Sequence, residues 1–355
     1  MKRALRLAAR AWGVTSPNPM VGAVIVGNGH IISEDFHRSP GTPHAEALAI
    51  KKAGEKARGA ELYVNLEPCC HTKKRTPPCT KTVINAGIKK VIIAMKDPNP
   101  RVSGRGVTEL QRAGIEVVSG VLEDKARRLN EVYIKYITTG KPFVTLKVAM
   151  TLDGKIATPD GQSKWITGEK ARRLVHHLRS GVGAIMTAIG TVKADDPQLT
   201  ARTTGGRSPI RIIIDPILEI PLDAEVLHTP PDTIIVAKLN NNSKARDLEK
   251  SGIKIIFFKN ALDLNFLIRK IAKMDITSVL IEGGSSLNAH ALHDGIVDKV
   301  MFFVAPMIIG GKESFPAVGG KTFKRLEEAY RVKDARVRSI GDDFLIEGYI
   351  RNQEC

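Results

Sequence analysis

Short apolar runs alternate along the chain with stretches whose apolar residues recur at helical spacing. Residues 21–26 form an apolar run, and residues 31–36 follow it after the turn signal Gly27-Asn28-Gly29, which predicts a β-hairpin. The other predicted elements of this part are helices over 1–9, 45–53, 80–86 and 126–139 and strands over 62–66 and 90–94. Such alternation is typical of a sheet with helices on both faces.

A second alternation begins after the helix breakers Thr139-Gly140-Lys141-Pro142. Its predicted strands are 143–150, 183–186, 210–214, 233–237, 254–258, 279–282 and 299–305, and its predicted helices are 169–180 and 263–273. We therefore expect two α/β domains, spanning residues 1–142 and 143–355.

The excess of basic over acidic residues indicates anionic partners. The 355 residues include 54 Lys and Arg against 37 Asp and Glu, which gives a formal net charge of +17. Nucleic acids and phosphorylated metabolites are both attracted to such a surface. Only 5% of the residues are aromatic, and basic runs interleaved with aromatic side chains are missing, which argues against a nucleic-acid binder.

The hydropathy pattern argues against a membrane protein. No apolar run approaches the ~18 residues that a spanning helix needs. Residues 1–9 are amphipathic and lack a long apolar centre and a cleavage site, so they predict a helix and not a signal peptide. The sequence thus favours a cytoplasmic protein.

Candidate metal ligands cluster in the first domain. His44-Ala45-Glu46 stands where a helix begins, Glu67-Pro68-Cys69-Cys70-His71 follows a strand, and Pro77-Pro78-Cys79 comes shortly after. One imidazole and two or three thiolates suit zinc, and three protein ligands leave a fourth position for water. The order H-x-E then P-C is typical of zinc deaminases, in which the Glu moves protons while a zinc-activated water attacks an amino-bearing ring carbon.

Two alternatives to a catalytic zinc site remain open at this point: a structural zinc site, and reduced cysteines in a loop that binds no metal. Cys70 or His71 could supply a fourth ligand and close a purely structural zinc site. Nine residues separate Cys69 from Cys79, whereas deaminases of nucleosides usually show P-C-x-x-C, so a generic cytidine deaminase is a poor match.

The motifs of the first domain resemble, as a set, the deaminase half of the bifunctional riboflavin-biosynthesis deaminase-reductases. They are residues 16–26, His44-Ala45-Glu46, Leu66-Glu67-Pro68-Cys69, Arg75-Thr76-Pro77-Pro78-Cys79 and Asp97-Pro98-Asn99-Pro100. The resemblance implies a three-layer, cytidine-deaminase-like domain in which His44, Cys69 and Cys79 hold zinc. It also implies that Glu46 is the proton shuttle and that Asn18 and His37 line the aminopyrimidine pocket.

One departure from that family concerns the ligand segment. The loop before the Thr-Pro-Pro-Cys segment is one residue longer than in the family's usual form, and Cys70 stands where Ser is expected. We favour Cys69 as the ligand because it directly follows Pro68.

The second domain has no G-x-G-x-x-G motif, which disfavours an ordinary Rossmann dehydrogenase. Its own motifs are residues 147–157, Ser163-Lys164-Trp165-Ile166-Thr167, Gly190-Thr191-Val192, residues 195–200 and Glu282-Gly283-Gly284. In this order they resemble the reductase half of the same family, which implies a dihydrofolate-reductase-like fold and NADPH as cofactor.

The resemblance also implies two groups of contacts in this domain. The cofactor contacts are Ala149, Trp165, Thr191, Asp195, Gly284, Ser285, Ser286, Leu287, Asn288, Ala289 and His290. The substrate contacts are Ser163, Arg179, Leu199, Arg202 and Glu282. Arg179 and Arg202 can clamp the ribose phosphate, because a guanidinium binds phosphate in a bidentate manner; the alternative is that they are solvated surface arginines.

The sequence therefore predicts a two-step enzyme of riboflavin biosynthesis. Domain one would deaminate 2,5-diamino-6-(5-phosphoribosylamino)pyrimidin-4-one, and domain two would reduce the ribosyl group to ribityl phosphate with NADPH. A nucleic-acid deaminase with a fused accessory domain is the enzymatic alternative, and a zinc-stabilised scaffold without activity is the other. We also expect a homo-oligomer.

Overall fold

The computed structural model describes residues 1–71, 77–239, 243–320 and 323–350. Arg75 and Thr76 of the Pro-Pro-Cys motif lie outside these ranges. The chain divides into two compact units, Met1–Lys141 and Pro142 onward. The division follows Gly140, whose left-handed φ of 67° ends the preceding helix.

The first unit contains a five-stranded sheet with the order β2-β1-β3-β4-β5. Its strands are β1 (Gly22–Gly27), β2 (His30–Phe36), β3 (Glu61–Leu66), β4 (Lys90–Met95) and β5 (Glu116–Ser119). β1 pairs antiparallel with β2 and β3, whereas β3, β4 and β5 are parallel. Its helices are α1 (Lys2–Ala8), α2 (Ala45–Ala53), α3 (Cys79–Asn85), α4 (Arg105–Arg112), α5 (Glu123–Leu129) and α6 (Glu131–Thr139).

Helices cover both faces of this sheet. Val24 packs with Leu7 of α1, whereas its neighbour Ile25 belongs to a cluster with Ala49 of α2 and Val83 of α3. Because successive strand residues point to opposite faces, α1 lies on one side and α2 and α3 on the other. The expected three-layer α/β domain is confirmed.

The predicted single helix over 126–139 is wrong, because the chain breaks at Asn130 into α5 and α6. The Asn130 side chain is buried; its Oδ1 accepts a hydrogen bond from the Met20 amide at 2.8 Å, and its Nδ2 donates to the Met20 carbonyl at 3.0 Å. Asn130 leaves helical geometry at φ −108° and ψ 22°. Binding both backbone groups of a distant residue thus takes precedence over helix continuity. Helix α4 and strand β5 were also missed by the sequence analysis.

The second unit contains a nine-stranded sheet with the order β11-β10-β9-β8-β12-β6-β13-β16-β15. Its strands, in chain order, are β6 (Phe143–Thr151), β8 (Ala184–Ala188), β9 (Ile210–Ile214), β10 (Thr233–Lys238), β11 (Lys254–Phe258), β12 (Ser278–Ile281), β13 (Lys299–Ala305), β15 (Val332–Ile340) and β16 (Asp343–Ile350). The first seven strands of the order are parallel, and β16 and β15 join antiparallel. A separate two-stranded sheet pairs β7 (Lys155–Ala157) with β14 (Phe315–Pro316).

The helices of this unit pack on both faces of the large sheet. They are α7 (Glu169–Gly181), α8 (Ile189–Asp195), α9 (Glu225–His228), α10 (Ser243–Lys250), α11 (Leu264–Ala272) and α12 (Ser285–His293). Val175 of α7 packs against Phe303 of β13, and Leu267 of α11 and Ala291 of α12 join Val300 on the opposite face. The predicted strands and both predicted helices are present, so the second α/β domain is also confirmed. None of the helices in the described part of the chain is both long and apolar enough to cross a membrane.

Candidate active sites of the two domains

The three predicted zinc ligands converge at one end of the first domain's sheet. His44 immediately precedes α2, Cys79 opens α3, and Cys69 follows β3 by three residues. The Nδ1 atom of His44 lies 3.5 Å from Sγ of Cys69 and 3.2 Å from Sγ of Cys79, and the three ligand atoms lie within 4.8 Å of one another. One imidazole and two thiolates at this separation suit tetrahedral zinc with one position open to solvent or substrate.

Cys70 does not belong to this cluster. It is half-buried and lines a different cavity together with His71 and Glu109. Burial raises the pKa of the Cys70 thiol, and the nearby carboxylates of Glu109 and Glu67 raise it further. Among the described residues the ligand cluster has three members, without Cys70 or His71 as a fourth.

Glu46 lies in the first turn of α2, two residues after His44. Its side chain is 3% exposed, and its Oε2 atom is buried without a hydrogen-bond partner among the described residues. Burial raises the pKa of this carboxyl group, and the charge of His44 opposes that effect. A carboxyl group with an unpaired oxygen beside the ligand cluster suits a group that takes up and releases a proton.

The structure places Asn18 and His37 next to the ligand cluster. The Asn18 Nδ2 atom is 3.2 Å from Nε2 of His37, and the His37 ring meets the His44 ring edge-on with 5.2 Å between centroids. His37 is 2% exposed, and its Nδ1 atom lies 3.3 Å from the Pro43 carbonyl oxygen. Burial lowers the pKa of His37, which favours its neutral form. Two polar side chains are thus available to orient a ring at this site.

Glu67 is a buried carboxylate whose contacts the sequence analysis missed. It is 2% exposed and accepts three backbone N–H hydrogen bonds, from Asp97 at 3.1 Å, Gly104 at 3.0 Å and Val107 at 3.0 Å. Two of these donors lie at the start of α4. The side chain therefore ties the end of β3 to the N-terminus of α4.

The backbone at Pro68 lies close against α4. A Cβ atom on Gly106 would lie 2.2 Å from the Pro68 carbonyl oxygen, so only glycine fits there. The Cys69 carbonyl oxygen accepts a hydrogen bond from the Thr80 amide at 3.3 Å. Cys69 is thereby held on both sides, by the anchored Glu67-Pro68 segment and by the first turn of α3.

A cavity of about 1040 Å³ opens in the second domain at the carboxyl ends of its parallel strands. The predicted residues that line it are Ala149, Ser163, Trp165, Arg179, Thr191, Asp195, Leu199, Arg202, Glu282, Gly284, Ser285, Ser286 and Leu287. This location is the usual ligand site of an α/β sheet, and the volume accommodates a dinucleotide together with a substrate.

Three residues predicted to contact the cofactor do not line this cavity: Asn288, Ala289 and His290. Asn288 is fully buried and donates to the Ala317 carbonyl oxygen at 2.8 Å. The His290 Nε2 atom lies 3.3 Å from the Asp294 carboxylate. Successive residues of a helix point in different directions around its axis. Beyond the first turn of α12, these side chains therefore contact other parts of the protein.

The cavity suits a phosphate-bearing cofactor at the start of α12. Gly284 precedes this nine-residue helix, and no side chain of the described residues caps its first amides. A Cβ atom on Gly284 would meet nothing within 4 Å, so there is open space in front of these amides. Uncapped amides at a helix N-terminus bind phosphate oxygens, as a pyrophosphate requires. Trp165, which is 66% exposed and stacked under the Arg172 guanidinium at 4.6 Å, adds a flat apolar wall.

A buried group of charged side chains also lines the cavity. Arg179 donates to Glu282 from Nε at 2.8 Å and from Nη2 at 3.0 Å, and Lys147, which was not predicted, places its Nζ 3.5 Å from Glu282 Oε2. Burial by itself raises the pKa of Glu282, but the charges of Arg179 and Lys147 outweigh burial and lower it to about 2. Glu282 is therefore ionised, and Arg179 is a paired wall residue and not a solvated surface arginine.

The fold and the two sites define a class: a two-domain enzyme that joins a zinc-dependent deaminase to a dihydrofolate-reductase-like reductase. The family model of the cytidine and deoxycytidylate deaminase zinc-binding region matches residues 1–95, and that of the RibD C-terminal domain matches residues 142–346. The chain belongs to the RibD family of bifunctional riboflavin-biosynthesis deaminase-reductases. It is accordingly a deaminase and an NADP-dependent reductase, with Zn²⁺ and NADPH as cofactors.

Similarity to known members extends over the whole chain. The riboflavin biosynthesis protein RibD of Aquifex aeolicus is 44% identical over 347 residues, which cover 98% of this chain and 96% of that protein. Two solved structures, RibD of Acinetobacter baumannii and a diaminohydroxyphosphoribosylaminopyrimidine deaminase/5-amino-6-(5-phosphoribosylamino)uracil reductase from Thermotoga maritima, each match with a TM-score of 0.88 and 38% identity and cover 99% of this chain and 97% of theirs. This full-length similarity does not favour the nucleic-acid deaminase.

Proposed function

We propose that the first domain hydrolyses the 2-amino group of 2,5-diamino-6-(5-phosphoribosylamino)pyrimidin-4-one and that the second reduces the ribosyl group of the product. The observation that carries this proposal is the presence, in one chain, of the His44, Cys69 and Cys79 cluster with Glu46 and of a second cavity walled by Arg179 and Glu282. The name of the Thermotoga maritima relative states the same pair of activities. A net charge of +17 suits a phosphorylated substrate.

In the deaminase domain, we assign the metal to His44, Cys69 and Cys79. Zinc bound there lowers the pKa of water and so supplies a nucleophile at neutral pH. Glu46 takes a proton from the water whose oxygen bonds to the amino-bearing ring carbon, and passes it to the departing amine, so that the bond to the exocyclic nitrogen breaks and ammonia leaves. Asn18 and His37 bind polar atoms of the pyrimidine and hold its amino-bearing carbon toward Glu46.

In the reductase domain, NADPH held by Trp165 and the Gly284-Ser285 segment would supply a hydride for C1′ of the ribosyl group, as the C1′–oxygen bond of the ring opens. A proton completes the hydroxyl on the oxygen that leaves C1′, and the open-chain ribityl phosphate results. Glu282 is held ionised and accepts hydrogen bonds from ribose hydroxyl groups. Arg179 uses three of its five N–H donors on Glu282 and the Thr200 carbonyl oxygen, so two remain for the substrate, and the exposed Arg202 binds its phosphate.

We place the enzyme in the cytoplasm as a homo-oligomer. Strand β15 is the edge of the nine-stranded sheet, and its residues are exposed nearly throughout, including Val337 at 65%. An unpaired edge with an exposed apolar side chain readily pairs with a second copy. Sedimentation at micromolar concentration checks this part, and a monomer there would contradict it.

The test of the function is to incubate the purified protein with the diaminopyrimidine phosphate, with and without NADPH. Ammonia release is expected without NADPH, and addition of NADPH is then expected to give one oxidised nicotinamide for each ribityl product. Failure to release ammonia from this compound overturns the deaminase assignment. Tight, salt-sensitive binding and deamination of RNA instead would favour the nucleic-acid enzyme.

A further inference from the structure

His176 lines the reductase cavity but belongs to none of the site residues assigned above. It lies on α7 one turn before Arg179, and residues three apart on a helix are neighbours on its surface. Its ring is half-buried, and its Nδ1 atom lies 3.2 Å from the Thr200 carbonyl oxygen and 3.4 Å from the Arg202 amide nitrogen. His176 therefore touches the segment that carries the exposed Arg202.

The Nδ1 atom can satisfy only one of these two backbone groups at a time. When it carries a proton it donates to the Thr200 carbonyl, and when it lacks one it accepts from the Arg202 amide. In both protonation states Nδ1 is hydrogen-bonded to the backbone of this segment. The described residues offer no hydrogen-bond partner to Nε2, so this nitrogen is left for a ligand in the cavity.

The charges around His176 suit an anion. The charged side chains that face it are the guanidinium groups of Arg179 and Arg202, with Glu282 as the carboxylate beyond. Arg179 is largely neutralised by its ion pair with Glu282, whereas the Arg202 side chain is exposed and its Nη2 atom makes a long contact, 3.5 Å, to Gln198 Oε1. A phosphate bound near Arg202 would thus also lie close to His176, at the rim of the cavity.

We propose that His176 is a further phosphate-binding residue of the reductase site, with Nε2–H donating to the 5-phosphate of the substrate while Nδ1 is held by the segment of Thr200 to Arg202. This inference rests on the proposed function, because it requires a phosphoribosyl substrate. Nε2 carries the needed proton both in the imidazolium form, with Nδ1–H on Thr200, and in the neutral form in which Nδ1 accepts from the Arg202 amide.

Two conservative variants separate contact with the phosphate from support of the backbone segment. His176→Asn places an amide near the position of Nδ1, so it can still bind the segment but cannot reach the phosphate. His176→Gln extends an amide toward the position of Nε2 and can reach it. The measurement is kcat and KM for the deaminated substrate and for the same compound after removal of its phosphate.

We expect His176→Asn to raise KM for the phosphorylated substrate about tenfold or more, the effect of losing one charge-assisted hydrogen bond, with kcat retained. His176→Gln should stay within about threefold of the unmodified protein by the same reasoning. The KM for the dephosphorylated compound should be unchanged in both. His177→Asn is the matched control, because His177 is the next residue of α7, is exposed, and does not line the cavity.

Three outcomes would overturn the proposal. If His176→Asn keeps the normal KM, His176 only supports the segment of Thr200 to Arg202. If the two substrates lose affinity equally, the residue contributes packing and not a phosphate contact. If the effect of His176→Asn disappears in an Arg202→Ala background, His176 acts through Arg202 alone. Failure of the unmodified protein to reduce the phosphorylated compound would instead overturn the proposed function, so the two failures are distinguishable.

Discussion

Arg179 and Glu282 form a two-point ion pair, with 2.8 Å between Nε and Oε1 and 3.0 Å between Nη2 and Oε2. The side chains are only 16% and 10% exposed, and Lys147 also contacts the carboxylate. The pair joins α7 to the end of β12 at the wall of the reductase cavity. Because water cannot solvate either group well, each charge depends on the other.

Replacement of Glu282 by Gln should destabilise the second domain. The variant leaves Arg179 and Lys147 as two neighbouring buried cations, and the loss of one partner from a buried pair costs about 3–5 kcal/mol. Urea unfolding followed through Trp165, in a Trp12→Phe background, measures the loss in this domain. Glu169→Gln is the control, because its ion pair with Arg173 is exposed and its loss should cost less than about 1 kcal/mol. Equal losses in the two variants would contradict the prediction.

The same pair predicts a pH dependence of stability. The pKa of Glu282 is about 2 in the folded protein against an ordinary 4.5, so the folded state binds this proton less tightly than the unfolded chain does. The stabilisation is fully present above pH 4.5 and is lost as the pH falls through 4.5 toward 2. The difference in unfolding free energy between the unmodified protein and Glu282→Gln should narrow over this range. A difference that stays constant would show that ionisation of Glu282 is not its source.

The two neighbouring thiols should differ sharply in their effect on zinc. Cys69→Ser removes a member of the ligand cluster, so we expect it to lose bound zinc and deaminase activity together. Cys70→Ser alters a side chain directed to another cavity and should keep both. Metal analysis of the purified variants and the rate of ammonia release decide the matter. The opposite pattern would move the ligand assignment by one residue.

Glu67→Gln should weaken the retention of zinc although Glu67 is not itself a zinc ligand. The amide group of Gln presents N–H donors to backbone N–H groups, so the contacts to Gly104 and Val107 cannot all form. We expect zinc loss to a chelator to be about tenfold faster, the lower end of the effect seen for residues that support metal ligands. Asp35→Asn is the control, because Asp35 is an equally buried carboxylate of this domain with contacts to Arg38 and Lys52.

If Asp35→Asn releases zinc equally fast, general destabilisation explains the result and Glu67 has no particular role in the metal site. The absorption spectrum of the Co²⁺-substituted variants provides a second measurement, because thiolate ligation to cobalt has its own charge-transfer bands. Unchanged bands with faster metal loss in Glu67→Gln agree with an intact but poorly supported site.

The two half-reactions should be separable by single substitutions. Glu46→Gln should keep zinc bound but slow ammonia release by about 10²–10⁴-fold, as expected for a lost acid–base group, and should leave reduction unchanged. Arg202→Ala should raise KM in reduction through loss of a phosphate contact and leave deamination unchanged. Each variant is assayed with the substrate of each half-reaction. Loss of both activities in a folded Glu46→Gln protein would contradict the division of labour between the domains.

Much of the fold follows from local sequence. The hairpin at Gly27-Asn28-Gly29 and the alternation of strands and helices are present as predicted, because turn residues and hydrophobic periodicity act over a few neighbouring positions. The H-x-E and P-C motifs likewise indicate a zinc deaminase from local sequence, because the metal ligands and the proton-transferring Glu are recognised by residue type and spacing. The breakers around Gly140 lie at the division between the two compact units.

Contacts between distant residues could not be predicted in this way. Asn130 interrupts a helical pattern because its side chain binds Met20, 110 residues away. Lys147 begins the motif of residues 147–157, but the motif assigns it no contact, and only the sheet order, with β12 beside β6, brings it to Glu282. Cys69 and Cys70 follow the same strand but point in different directions. Which of them faces His44 depends likewise on the hydrogen bonds that Glu67 accepts from the start of α4.

The sequence by itself thus determined the two α/β domains, their order and the donor types of a zinc deaminase, because these depend on periodicity and on the chemistry of single residues. Only the tertiary structure decided which thiol joins His44, which carboxylates are buried and which cations neutralise them. Those outcomes depend on packing and on the solvation of charge, which arise when segments far apart in the chain come into contact.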